Sequence, residues 1–426
     1  MESPQQSEDL QRKARPERSE GNAQRNFIFA LLMKYPNTIS SKLPKVGTTI
    51  FTVMSALANE HKAINLSQGF PNFNVNEKLI SLIHQKMKEG LNQYAPMQGV
   101  PQLREVLCEK MEKLYGAKYN PDKEINITSG GTQAIYSALT AVVREGDEVI
   151  VIEPAYDCYV PAIELNGGIP IYVQLKVGSA SPSSGGPPNH TIHWNDVKKV
   201  MTSRTKVIMI NTPHNPMGSV MSANDMKELE KLVAGTNIII ISDEVYEHII
   251  FDGQKHESVC KYPRLVERSF IIYSFGKTYH ATGWKMGYCF APENLMAEFR
   301  KMHQFIVFTS NTPFQHALAD YIKECTDYNE LAEFYQAKRD FFLKQIKGSR
   351  FKFTPASGSY FQLLDYSTIS NEKDTEYAIR LTKENGVASI PTSVFYHKPI
   401  DNKLLRFCFA KTDDVLKQAA EKLCKI

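Results

Sequence analysis

Five short apolar runs, alternating with amphipathic helical stretches, constrain this chain more than any other feature. They are EINITSG (124–130), DEVIVIEP (147–154), TKVIMINTP (205–213), NIIIISDE (237–244) and RSFIIYSF (268–275). Four of them are nearly continuous in apolar residues, the pattern of strands buried on both faces of a parallel sheet. Between them, SANDMKELEKLV (222–233) opens on a capping-box-like Ser222 and Asp225 and spaces Met226, Leu229 and Val233 along one helical face. This alternation predicts an α/β protein whose large domain, over 77–315, is a doubly wound, mixed but mostly parallel sheet. Beyond Gln315, helical patterns lead into FKFTPASGSYFQLLDY, GVASIPTSVF and KLLRFCFAK, which predict a smaller α+β domain over 316–426. Residues 33–76 are expected to pack on that smaller unit.

The length of 426 residues suffices for both units. A net charge of +4 with no basic run behind it argues against nucleic acid as the main partner. Seven scattered cysteines, never spaced as C-x-x-C, point to free thiols in a reducing, cytoplasmic compartment and to no zinc site. No stretch approaches the ~18–20 apolar residues of a membrane span. Residues 1–32 are expected to be a disordered or dispensable extension. Residues 1–26 are polar and mixed in charge, and the apolar patch Phe27–Met33 lacks a small-residue cleavage site after it. The Ser/Pro/Gly segment 177–190 reads as a loop within the large domain.

In open α/β sheets, ligands bind beyond the carboxyl ends of the strands, so polar residues there bear on function. Run 268–275 ends at Ser274 and leads to Lys277, with Lys285 eight residues further on. A second cation nearby disfavours the charged form of a lysine, and a neutral amine can form a Schiff base with an aldehyde. Ser274 and Lys285 add a hydroxyl and a fixed charge suited to a phosphate. Aldehyde and phosphate together describe pyridoxal 5′-phosphate (PLP).

Four further strand ends fit the same ligand. The turn Ser129-Gly130-Gly131-Thr132-Gln133 precedes a helical run and offers backbone N–H groups to an anion. Tyr156, after run 147–154, can stack on a flat ring. Asp243 directly follows IIIIS, where an unpartnered acid is costly, and a protonated ring nitrogen would be its partner. Tyr246, three residues on, can face the same ligand as Asp243, and Asn215 sits in an Asn-Pro turn after run 205–213. Each side chain also has a plainer reading as a core or turn residue, and the constellation outweighs any one of them.

The ordered motifs SQGFPNF, NQYAPMQGVPQLRE, SGGTQA, EPAYDCY, NTPHNPMG, SDEVYEH, SFGKTYHATGWKMGY and LLRFCFAK carry a resemblance. From about Lys45 to the C-terminus the chain resembles the class I aminotransferases of the PLP-dependent transferase fold type I. It is most similar to kynurenine and glutamine transaminases and to their bacterial methionine-aminotransferase relatives. The resemblance implies Lys277, Asp243 and Tyr246 as catalytic residues, with Lys277 holding PLP. It implies a cofactor site of Gly131, Thr132, Gln133, Tyr156, Asn215, Ser274 and Lys285, completed by Tyr94 from the second subunit of a homodimer. Arg406 and Gly69 would receive the substrate α-carboxylate, and Phe51, Thr132 and the partner's Phe308 would line the side-chain pocket.

The implied activity is transamination between an amino acid and a 2-oxo acid. HQFIVFTSNT (303–312) holds no arginine for a distal carboxylate, which points to methionine, aromatic or glutamine-like donors rather than aspartate. Thr132 stands where eukaryotic relatives carry an aromatic, leaving a wider or more polar pocket. A C–S β-lyase of the same fold is the alternative enzyme. A PLP-sensing regulator is disfavoured, because only about 32 weakly patterned residues precede the domain.

Overall fold

The longest apolar runs do become the middle of one sheet. The structure, a computed structural model, describes residues 37–177, 190–398 and 400–426. The extension expected over 1–32 and nearly all of the loop expected at 177–190 lie outside the described residues. One compact unit spans Lys45–Ile426. Its central sheet comprises β1 (Ile125–Thr128), β2 (Glu148–Glu153), β3 (Ile169–Gln174), β4 (Thr205–Asn211), β5 (Ile239–Asp243), β6 (Ser269–Ser274) and β7 (Gly287–Phe290). Their order across the sheet is β1-β7-β6-β5-β4-β2-β3. All neighbours are parallel except β7, which runs antiparallel to both β6 and β1.

Alternate residues of these strands feed two separate cores. Ile150, Ile152, Ile208, Ile210, Ile240 and Ile271 face one, and Val149, Val151, Val207, Met209, Ile241 and Ile272 face the other. Burial on both faces explains why these runs are continuously apolar. The helix Ala223–Val233 forms with its capping box and buries Met226, Leu229 and Val233, as its sequence requires. The helix Thr312–Glu324 contributes Ala317, Leu318 and Tyr321 to the first core. This helix packs on the helices Glu77–Lys88 and Pro101–Tyr115.

A third core surrounds a smaller antiparallel sheet of β8 (Phe361–Asp365), β9 (Ile390–Pro391) and β10 (Leu404–Cys408), ordered β8-β10-β9. Met54 and Leu66 belong to it, so the helix Ile50–Glu60 and the strand after it pack on this unit. Among the described residues, no helix is long and apolar enough to cross a membrane.

Candidate active site

The parallel strands β4, β5 and β6 stop at one edge, and each delivers a polar residue there. Asn211 and Asp243 are register partners, and Ser274 ends the next strand. Beyond this edge lies a cavity of about 310 Å³, bordered by Asp243, Lys277, Lys285, Arg406, Tyr156 and Thr132. Residues separated by hundreds of positions in sequence meet there because β10 of the smaller sheet closes the far side.

Asp243 is buried. Its carboxylate accepts a hydrogen bond from the Tyr159 hydroxyl at 2.5 Å and one from the Val245 N–H at 3.3 Å. Burial pushes its pKa up to about 6, against the opposing effect of the Tyr159 bond. Among the described residues it has no salt-bridge partner, so a cationic ring nitrogen in the cavity would answer an existing electrostatic need.

Lys277 sits in the short helix Phe275–Thr278 that follows β6. Its pKa is pushed down to about 8, first by burial and then by the charges of Lys285 and Arg406, while Cys408 and Asp243 oppose the shift. The like charge of Lys285, expected to dominate, is thus secondary to desolvation. The amine gains its neutral, nucleophilic form as pH rises through about 8. The turn after it folds back tightly, since a Cβ on Gly276 would lie 2.9 Å from the Thr282 backbone. A Cβ on Gly287 would lie 2.9 Å from the Gly130 backbone. These contacts bring Lys285 against the glycine turn, with its Nζ 3.6 Å from where a Gly130 Cβ would stand.

The helix Gly130–Val142 begins at that turn and directs its first N–H groups and its dipole toward the cavity, beside Lys285 and Ser274. Gly131 and Thr132 line the cavity, but the Gln133 side chain does not. Its Oε1 accepts from the Ser129 N–H at 2.9 Å, and its Nε2 lies 2.6 Å from Ser137 Oγ and 3.1 Å from His303 Nδ1. Only the Gln133 backbone is left to serve an anion.

Arg406 on β10 is buried without a carboxylate partner among the described residues. It donates to Asn215 Oδ1 at 2.8 Å and to the Ser67 carbonyl at 3.1 Å, and its Nε has no partner. Its guanidinium lies 3.9 Å from the centre of the Phe361 ring and 5.2 and 5.4 Å from those of Phe51 and Phe395. A buried, stacked and unpaired guanidinium beside a cavity is suited to a carboxylate. Gly69 also lines the cavity, but the space its missing Cβ leaves is taken by Phe361, 2.7 Å away. A Cβ there would meet that ring.

Tyr246 is buried, with Lys277 Nζ 5.5 Å from its ring centre. Tyr156 borders the cavity edge-on to Tyr159, and Phe51 lines it from the helix Ile50–Glu60. Tyr94 and Phe308 are not brought into the cavity of their own chain. They pair edge to face at 5.4 Å on the surface, where Tyr94 is 83% exposed and neighbouring Phe305 is 85% exposed. Three residues of the site escaped sequence reasoning: Tyr159 on Asp243, Asn211 on the Asp243 and Asn215 backbones, and Tyr360 on Lys277. Tyr159 lies within the EPAYDCY motif, and the helical spacing from Tyr156 was its available signal.

The donor set therefore fits PLP: a buried acid, an amine of lowered pKa, a helix N-terminus with a cation beside it, and an aromatic wall. Residues 61–423 match the model of the aminotransferase class I and II family, and the chain belongs to that family. It is a PLP-dependent aminotransferase. It is 48% identical to a methionine aminotransferase of Escherichia coli over 90% of this chain and 97% of that one. It is 35% identical to a kynurenine–oxoglutarate transaminase of Dictyostelium discoideum over 93% and 98%. The solved structure of an Escherichia coli protein with a methionine aminotransferase function superposes with a TM-score of 0.87 at 47% identity, over 92% of this chain and 100% of that one.

Proposed function

We propose that the chain moves the amino group of methionine, or of an aromatic or glutamine-like donor, onto a 2-oxo acid. The observation that carries this reading is the guanidinium of Arg406. It and the two lysines are the cations bordering the described cavity, and the rest of its wall is aromatic, aliphatic or neutral polar apart from the acid Asp243. One carboxylate can be clamped there. A second, distal carboxylate would be desolvated without a partner, whereas a thioether or aromatic ring gains burial against Phe51 and Phe361. The methionine and kynurenine activities named for its relatives agree.

PLP, when bound, supplies an electron sink for the negative charge that develops at the donor's α-carbon. Lys277 anchors the cofactor and, when free, takes the proton from that carbon. Asp243 keeps the ring nitrogen protonated, and Tyr159 fixes the carboxylate. Gly131, Thr132, the Gln133 backbone, Ser274 and Lys285 hold the phosphate. Tyr246 and Asn215 would hold the 3′-oxygen, and Tyr156 would face the ring. Asn215 also bonds Arg406, so cofactor and substrate carboxylate share a neighbour.

The exposed aromatic surface of Tyr94, Phe305 and Phe308 supports a homodimer in which Tyr94 and Phe308 serve the partner's cavity. Seven free thiols support a cytoplasmic location. A donor panel with purified enzyme and saturating 2-oxo acid tests the substrate reading. Methionine and phenylalanine should exceed aspartate in kcat/KM by about 10²-fold or more, as expected for an unpaired buried charge. Aspartate in first place would refute the pocket assignment.

A further inference from the structure

A lysine that serves first as an anchor and then as a base needs a defined position when it is free. In this chain the free amine of Lys277 lies 2.9 Å from the Tyr360 hydroxyl and 3.3 Å from the Gly69 carbonyl. Tyr360 itself donates to that carbonyl at 2.6 Å. A carbonyl can only accept, so the single hydroxyl proton of Tyr360 is committed to Gly69, and its oxygen faces Lys277 as an acceptor.

The acceptors are themselves fixed. Arg406 holds the Ser67 carbonyl at 3.1 Å and Lys411 holds that of Phe70 at 2.7 Å, so the strap Ser67–Phe70 is tied on both sides of Gly69. The Tyr360 ring is fully buried, 5.1 Å edge to face from Tyr246 and 5.0 Å from Phe361. A neutral amine has two N–H groups and one lone pair. With both N–H groups engaged by Tyr360 and Gly69, the lone pair is left to face the cavity.

We infer that Tyr360, backed by the Gly69 carbonyl, is a positioning residue that orients the free Lys277 amine with its lone pair toward the substrate's α-carbon. This rests on the aminotransferase reading above, with Lys277 as the base. It gives Tyr360 a role separate from packing, because a phenylalanine would keep the ring and lose only the hydroxyl that accepts from Lys277 and donates to Gly69.

The test compares wild type with Tyr360→Phe, and with Lys411→Met, which loosens the strap without touching Tyr360. In Tyr360→Phe, kcat for methionine should fall roughly 10- to 100-fold with KM changed less than about three-fold, the size expected for a misplaced base. The isotope effect with α-deuterated methionine should rise. In the cofactor-free full-length chain, the pH dependence of amine modification by trinitrobenzenesulfonate at Lys277 should shift down by about one unit, since the ammonium loses an acceptor. Lys411→Met, which keeps the Tyr360 hydroxyl, should raise KM and shift that titration by clearly less than Tyr360→Phe does. A wild-type titration and isotope effect in Tyr360→Phe, or a rise in KM alone, would overturn the inference. A wild-type protein that neither binds PLP nor reacts with methionine would instead refute the reading on which it rests.

Discussion

Lys277→Ala should abolish both turnover and the visible absorbance of bound PLP while leaving the protein folded. The amine reaches into the cavity from a four-residue helix at the end of β6. Removing it deletes the covalent anchor and the base together. General base work alone is worth about 10²–10⁴-fold, and the loss of the anchor adds to that. Absorbance spectra and steady-state rates at saturating PLP check the result. Activity near wild type would mean that the cavity at the ends of β4, β5 and β6 is not where the chemistry occurs.

Arg406→Ala should weaken every donor and every oxo acid together. All of them share the α-carboxylate, and Arg406 is the cation aimed at it from β10. Removing one partner of a buried charge pair costs about 3–5 kcal/mol, or roughly 10²–10⁴-fold in kcat/KM. Folding should not suffer comparably, because the guanidinium satisfies no carboxylate of the protein among the described residues. Arg406→Lys should recover only part of the loss, since an ammonium cannot make the bidentate, ring-stacked contact. A loss confined to one class of donor, measured across the same panel, would place Arg406 on the side-chain end of the pocket.

The parts of the fold that were legible in sequence are those buried on both sides. Runs such as VIVI and IIII have no amphipathic alternative, so β2, β4, β5 and β6 could be read directly. β3 could not, because Ile169–Gln174 is an edge strand with Pro170 inside it and much of its surface open. β7 is four residues long, starts on Gly287 and runs against its neighbours, and none of these features marks a strand. Within the site, Asp243, Ser274 and Lys277 were readable because they follow apolar runs at a sheet edge. The Gln133 side chain points the other way because it caps the Ser129 N–H, a local bond that competes with any ligand. Tyr360 was illegible for a different reason. Its partners Lys277 and Gly69 stand 83 and 291 positions away, and only the packing of the smaller sheet on the larger brings them together.

The most direct measurement is a half-reaction. Purified protein carrying PLP is mixed with methionine alone, then with aspartate alone, and the cofactor absorbance and released 2-oxo acid are followed. The account predicts that methionine bleaches the visible absorbance with one equivalent of its 2-oxo acid released per site, and that a second 2-oxo acid restores it. Aspartate at the same concentration should react at least about 10²-fold more slowly, for want of a partner for its distal carboxylate. Unchanged absorbance with methionine, or faster bleaching by aspartate, would contradict the account.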